Sequence, residues 1–232
     1  MAAGVFAVLG VVLAVGAVVG LLVWVAIRIE RKRREAFRAI ASQRGWTYAE
    51  QAGDPSPRFT GFKPFGQGHS RLARDVLGGM VDGVAFEAFS FRYVVTSGSG
   101  KNRHEQTYWF TVLAVPMPLA APDLTLEPEG LAMKLFDALG GEDIDFESDA
   151  FSRRFWVKCR DRKFAYDVIT PAMMERLLAT PQGWSWQWRG GSLVVSRVGP
   201  MRPEDAPGIV ALASVFTQDL PRHLLAARPA RP

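Results

Sequence analysis

The chain begins with an unbroken apolar stretch. Met1–Ile27 contains no charged residue, and Val5–Ile27 consists of Val, Leu, Ala, Gly, Phe, Trp and Ile alone. About 20 apolar residues in a helix cross the ~30 Å hydrocarbon core of a membrane. The pattern therefore predicts a transmembrane helix over residues 1–27, through which the protein binds a membrane. A cleaved signal peptide is the alternative, but its basic residues would precede the apolar stretch, whereas here they follow it.

Basic residues cluster directly after this stretch. Residues 28–44 hold seven Lys or Arg and two Glu, a net charge of +5 that equals the net charge of the whole chain. Because basic residues beside a membrane stay on the cytoplasmic side, we expect a single-pass protein of the plasma membrane with its N-terminus outside and its domain in the cytoplasm. The predicted membrane-flanking residues are Arg28, Arg31, Lys32, Arg33 and Arg34.

Residues 28–45 are predicted to form a basic juxtamembrane helix that ends at Gly45. Its apolar side is small, with Phe37, Ile40 and Ala41, and four consecutive cations at residues 31–34 cover every side of the helix. A helix that lies flat on a membrane has a larger apolar face. We therefore expect a stalk that stands off the membrane; binding of anionic lipid headgroups by the basic residues is the alternative.

Two glycines in the apolar stretch have the spacing of a helix-packing motif. Gly16 and Gly20 lie four residues apart, which lets two membrane helices approach closely. They are the candidate face for a homodimer. The other interpretation is that Gly is simply common in membrane helices.

Residues 46–232 are predicted to form a soluble α+β domain of mostly antiparallel strands with helices packed on one side; one domain and two small ones both remain open. Alternating residues predict a three-stranded meander, and later segments predict a strand, two capped helices, a hairpin around Gly190-Gly191 and a final amphipathic helix. The segments are Ser70–Leu77, Ala85–Val95 and Thr107–Val115 for the meander, Arg154–Arg160 for the strand, Asp161 and Thr170-Pro171 for the helix starts, Trp184–Trp188 and Ser192–Val198 for the hairpin, and Ile209–Leu224 for the helix.

Three tryptophans share one face of the first strand of that hairpin. Trp184, Trp186 and Trp188 alternate with polar residues. Such a row favours burial in the core under the final helix. An exposed aromatic platform for a ligand or partner is the alternative.

The residue patterns predict no catalytic, cofactor or metal site. The acidic stretch Asp143–Asp149 lacks the glycine and the final carboxylate of a calcium loop, and the three histidines have no ligand-type spacing. Cys159 is the single cysteine and lies inside a predicted strand, where a buried thiol is usual. Since the positive charge lies in one short stretch, no nucleic-acid surface is expected, and an enzyme is a distant third possibility.

The soluble part resembles a family of uncharacterised, largely actinobacterial, single-pass membrane proteins of unknown function. The similarity runs across most of residues 46–198. It is carried by Trp46-Thr47-Tyr48, Phe65-Gly66-Gln67-Gly68, Ala73–Leu77, Leu126–Glu129, Asp143–Ser148, Phe151, Arg154–Val157, Asp161, Ala165 and Met173–Leu178. The resemblance implies an anchor followed by a domain, and it implies no activity or cofactor.

These patterns together predict a membrane-anchored cytoplasmic interaction or scaffold module that recognises a protein partner or the membrane surface. The alternative is a module that binds a lipid or small ligand at the membrane surface. A closed sheet would favour the scaffold, whereas a deep apolar pocket with a few polar groups would favour ligand binding.

Overall fold

A single long helix leads into the domain. The computed structural model describes the backbone at residues 2–128, 144–218, 220, 221 and 224, and the side chains of the first helix from Val15 onward. Helix α1, Ala2–Arg44, runs without a break through both predicted N-terminal segments and ends at Gly45, whose φ of 69° is left-handed. Within the described residues, no helix combines the length and apolar character that a membrane crossing needs.

The domain is built on one antiparallel sheet. Its strands are β1 (Thr47–Gln51), β2 (His69–Val81), β3 (Val84–Ser97), β4 (His104–Pro128), β5 (Phe155–Cys159) and β6 (Ser185–Val198). They are ordered β1-β2-β3-β4-β5, and β6 pairs with β4 as well. The predicted meander is confirmed as β2, β3 and β4, and the α+β class is confirmed too.

Strand β4 is the central strand of this sheet. Its first half pairs with β3, its last residues pair with β5, and β6 lies along its other side. Prolines at positions 116, 118 and 122 interrupt the apolar pattern, and the register with β6 shifts between Pro116 and Leu124. Proline has no N–H to donate to a neighbouring strand, so the regular pairing of β4 is interrupted where these prolines lie.

The predicted hairpin around Gly190-Gly191 is wrong. Strand β6 continues through both glycines and stays paired with β4, from Trp186 opposite Leu126 to Val198 opposite Phe110. Gly190 has a φ of 52° and lies opposite Ala121, between the two register shifts. The glycine pair therefore forms a bulge that follows the irregularity of β4 and does not reverse the chain.

Short helices cover one face of the sheet. They are α2 (Asp149–Ser152), α3 (Arg162–Val168), α4 (Pro171–Ala179) and α5 (Ala206–Ala211). Along the chain, 3₁₀ turns occur at Ser56–Phe59, Gly100–Asn102, Pro203–Asp205 and Leu212–Ser214. The predicted caps are confirmed: Asp161 accepts from the Phe164 N–H at 3.0 Å and Thr170 from the Met173 N–H at 3.3 Å. The predicted final helix is shorter than expected, because α5 ends at Ala211 and a 3₁₀ turn follows.

Both faces of the sheet carry a hydrophobic core. The larger core lies under the short helices and includes Phe37 and Ala41 of α1. The smaller core lies on the opposite face, where Phe59, Phe62 and Phe65 of the loop between β1 and β2 pack on β3 and β4. Helices on one side are therefore confirmed, and a loop rich in phenylalanine covers the other side.

Candidate functional site

The tryptophan row lies in the larger core. Trp184, Trp186 and Trp188 are 2%, 0% and 1% exposed. The ring of Phe216 lies 5.5 Å from Trp186 and 5.9 Å from Trp188, and Phe164 of α3 lies 5.7 Å from Trp188, all between ring centroids. The interpretation as an exposed aromatic platform is therefore wrong, because α3 and the segment after α5 cover these rings.

At the junction between α1 and the sheet edge, apolar side chains of the helix pack on β1. Phe37 is fully buried and stacks on Tyr48 of β1 at 5.8 Å between ring centroids. The Trp46 N–H donates to the Ala41 carbonyl at 2.8 Å. The last part of α1 is therefore packed on the domain, since Phe37 and Ala41 belong to its core; that this helix stands off the membrane stays a prediction.

Ion pairs surround this apolar contact. Arg33 pairs with Asp75 of β2, which is 1% exposed, and with Glu30 at 2.8 Å. Glu30 also accepts from Arg74 at 2.5 Å. Two further pairs join Glu50 of β1 to Arg34, at 2.6 Å, and to Arg38. The Tyr48 hydroxyl donates to Asp75 at 3.1 Å, so Asp75 has partners from both α1 and β1.

The contacts of the junction shift the pKa values of two of its side chains, Glu30 and Tyr48. The hydrogen bond from Arg33 lowers the pKa of Glu30 from 4.5 to about 2, helped by Arg34 and opposed by burial. Burial, with the nearby Asp75 carboxylate, raises the pKa of the Tyr48 hydroxyl. Because the pKa of Glu30 is lowered by folding, its contribution to stability is present above pH 4.5 and is lost as the pH falls towards 2.

The five predicted membrane-flanking residues divide into two groups. Arg33 and Arg34 are bound within the junction. Arg28, Arg31 and Lys32 are exposed, and within the described part of the chain they form no ion pair; the Arg28 guanidinium lies 5.1 Å from the Trp24 ring centroid. Only this second group is free to meet lipid or a partner.

The predicted dimer face is uncovered. Nothing lies within 4 Å of the position that a Cβ atom would take on Gly16 or Gly20. Every described residue of Val15–Ile29 is exposed, with exposed fractions of 38–63% for the large apolar side chains.

A cleft of about 520 Å³ opens between α3, α4 and the segment before α2. Its wall is apolar and its described lining includes two carboxylates but no Lys or Arg; it consists of Phe146, Glu147, Ser148, Tyr166, Ile169, Thr170, Pro171, Met174, Glu175 and Leu178. The Tyr166 hydroxyl donates to the Asp145 carbonyl at 3.2 Å. The described part of the acidic stretch is not a strand. Its Ile144 and Phe146 are buried, while Asp143 lies outside the described residues.

One buried carboxylate lies apart from all of these features. Glu127 of β4 is 2% exposed, and neither of its oxygens has a hydrogen-bond partner among the described residues. Burial raises the pKa of Glu127 from 4.5 to about 7; the nearby Ser185 hydroxyl and Lys63 oppose this rise. The Gln187 side chain holds the loop that carries Lys63 through two hydrogen bonds to its backbone, of 2.9 and 3.0 Å.

Replacing Glu127 with glutamine tests this burial. Because folding raises the pKa of Glu127, wild-type stability should fall as the pH rises from 4.5 to about 7. The Glu127→Gln variant should lack this loss. The free energy of unfolding of the variant, relative to that of the wild type, should therefore be higher at pH 7.5 than at pH 5. Urea unfolding at both pH values measures this, with the exposed Glu175→Gln as control. An equal difference at both pH values would contradict the raised pKa.

Two of these features gave no sequence signal. Asp75 follows Arg74 in a segment of mixed polar and apolar residues, and Glu127 takes the polar place in the alternating pattern of β4, so neither position indicates a buried carboxylate. No group of three or more His, Cys, Asp or Glu that could hold a metal occurs within the described ranges. Cys159 is half-buried in β5.

Comparison with protein-family models and with curated proteins finds no match for this chain. Among solved structures, the chain is similar to the crystal structure of the mycobacterial trehalose monomycolate transport factor A, TtfA. The TM-score is 0.53 and the identity is 14%, over 87% of this chain and 97% of that chain. At this identity the likeness shows a common fold and nothing further.

Proposed function

We propose that this protein is a membrane-anchored interaction module, in which residues 1–27 cross the plasma membrane and the α+β domain binds a protein partner on the cytoplasmic side. No enzymatic activity is part of this function. The single observation that carries it is the continuity of α1: the same helix contains the exposed apolar segment and the segment that is locked into the domain.

The exposed apolar segment supports the anchor. Residues Val15–Ile27 present large apolar side chains on every side of α1 without any covering element among the described residues. Soluble proteins rarely leave an apolar surface of this extent in water. Together with the uncharged first half of the stretch, this favours a lipid environment for the segment.

The junction supports a role in positioning. Asp75 and Glu50 of the sheet bind cations of α1, and Glu30 of α1 binds Arg74 of β2, so the domain is not attached through a flexible linker. A domain held in a defined orientation beside the membrane is suited to dock against a partner that lies in the same membrane. The resemblance to single-pass membrane proteins and the shared fold with a transport factor are compatible with such an accessory role, and they carry no cargo over to this chain.

Topology is the first test. A reporter active only in the cytoplasm should be active when fused after Pro232, and one active only outside should be inactive there. The matched variant replaces Arg28, Arg31 and Lys32 with glutamine and leaves the junction cations in place, so it should reduce the orientation bias without unfolding the domain. Recovery of the chain in the soluble fraction, or activity of the exterior reporter, would overturn the anchor.

The cleft beside Tyr166 favours a second function, the binding of a lipid or small ligand at the membrane surface. Its apolar wall and two carboxylates suit an apolar ligand with a cationic group. The two functions differ in what the purified chain carries: ligand binding expects a bound small molecule in native mass spectrometry, whereas the interaction module expects none.

A further inference from the structure

The contacts at the junction show how the sheet is oriented relative to α1. Going along α1 from Ala41 back to Glu30, the helix contacts Trp46, then Tyr48, then Glu50 and then Arg74. This order follows β1 from its start to its end and then reaches the adjacent part of β2. The eleven residue steps from Glu30 to Ala41 rise about 16 Å along the helix, and the five residue steps from Trp46 to Gln51 extend about 16 Å along the strand. The two elements therefore run side by side, and β1 points towards the apolar segment.

The strands beyond this contact continue in the same direction. Arg74 pairs with Ser90 of β3, and β3 runs on for seven residues to Ser97, which is about 23 Å. On α1, Glu30 follows Ile27 by three residue steps, which is a rise of about 5 Å along the helix. The connection between β3 and β4 therefore reaches the level where the apolar segment begins, unless the strands turn almost at right angles to α1.

Strand β2 is irregular between the junction and this connection. Strand β2 contains two left-handed residues, Ser70 and Asp75, with φ values of 53° and 52°, and its register with β3 shifts near both. Bulges of this kind increase twist and redirect a strand. The exposed residues of Val15–Ile29 accordingly remain uncovered by the sheet.

The connection has the composition of a surface that meets lipid headgroups. Residues 96–105, which we term the hairpin tip, contain Lys101 and Arg103 against Glu105; Arg103 and Glu105 pair at 2.7 Å and both are more than half exposed. Exposed cations beside a membrane attract anionic lipid headgroups.

We propose that the hairpin tip is a second membrane contact, which rests on anionic lipid headgroups beside the point where α1 leaves the bilayer. This inference rests on the proposed anchor. The polar backbone and the charges of the tip keep it in the headgroup layer, because unpaired polar groups do not enter hydrocarbon. Lys101 and Arg103 of the tip would then meet the same headgroup layer as Arg28, Arg31 and Lys32 of α1.

Hydrogen exchange of the full chain in lipid nanodiscs tests the contact. We expect the tip to exchange about threefold or more slowly in phosphatidylglycerol nanodiscs than in phosphatidylcholine nanodiscs. The turn between β2 and β3, at Asp82-Gly83, lies at the opposite end of the sheet and should exchange equally in both. The double variant Lys101→Glu with Arg103→Glu should lose the slower exchange. The control Arg160→Glu, an exposed cation at the far end of β5, should keep it.

The possible outcomes separate this inference from the proposed function. Equal exchange of the tip in the two lipids, or slower exchange that persists in the double variant, would overturn the headgroup contact while the anchor stands. Failure of the chain to enter nanodiscs of either lipid would instead overturn the anchor, and with it the contact that depends on it.

Discussion

Replacing Asp75 with asparagine is expected to lower the free energy of unfolding by about 2–3 kcal/mol. Breaking a buried ion pair by removing one partner costs about 3–5 kcal/mol, and the lower value applies because Arg33 is a quarter exposed and keeps Glu30. Asparagine preserves the size of the side chain and tolerates the left-handed backbone at this position, whereas alanine would add strain. Urea unfolding of the full chain in detergent measures the change.

Asp82 offers a matched control for this variant. It also has a left-handed backbone, with a φ of 49°, but it is exposed in the turn between β2 and β3. Asp82→Asn should change the free energy of unfolding by no more than about 0.5 kcal/mol. If Asp75→Asn were equally mild, the ion pair with Arg33 would not hold α1 on the sheet.

The Trp186→Ala variant is expected to be the most damaging single change, with a loss of about 3–5 kcal/mol. Trp186 is completely buried and contacts Phe216, so truncation would leave a large cavity beneath the segment that follows α5. Its indole N–H has no hydrogen-bond partner within the described residues, so the loss comes from packing and not from a broken hydrogen bond. The midpoint of urea unfolding reports this loss.

Trp156 provides the comparison for the tryptophan variant. It lies on β5 and is half-buried, with the Lys158 ammonium 3.9 Å from its ring centroid. Trp156→Ala should cost markedly less than Trp186→Ala, because less apolar surface is removed from the core. Equal losses for the two variants would contradict the difference in burial.

Features decided by neighbouring residues were predictable from the sequence. Asp161 and Thr170 cap helices through N–H groups three residues away, and the β2–β3–β4 meander follows from alternation and short connections. The inward positions Ile209 and Phe216 were also predictable, since a helical period of apolar residues marks a buried face, even though the helix ends earlier than expected.

Features decided by distant residues were not predictable. Arg33 reads as one cation in a basic run, and its role depends on Asp75, which lies 42 residues further along the chain. Gly190-Gly191 is compatible with a reversal or with a bulge, and the irregular register of β4 decides between them. The cleft beside Tyr166 is made by α3, α4 and the segment before α2, whose side chains show no common pattern in the sequence.

The unbroken course of α1 sets the azimuth of the domain. Each residue of an α-helix advances about 100° around its axis, and no irregular residue interrupts α1 between Trp24 and Phe37. The number of residues between the apolar segment and the junction therefore determines which way the sheet faces around the helix axis. One added or deleted residue between Ile27 and Glu30 would turn the cleft and the hairpin tip by more than a quarter of a revolution around the apolar segment, while leaving every contact of the junction and the domain unchanged.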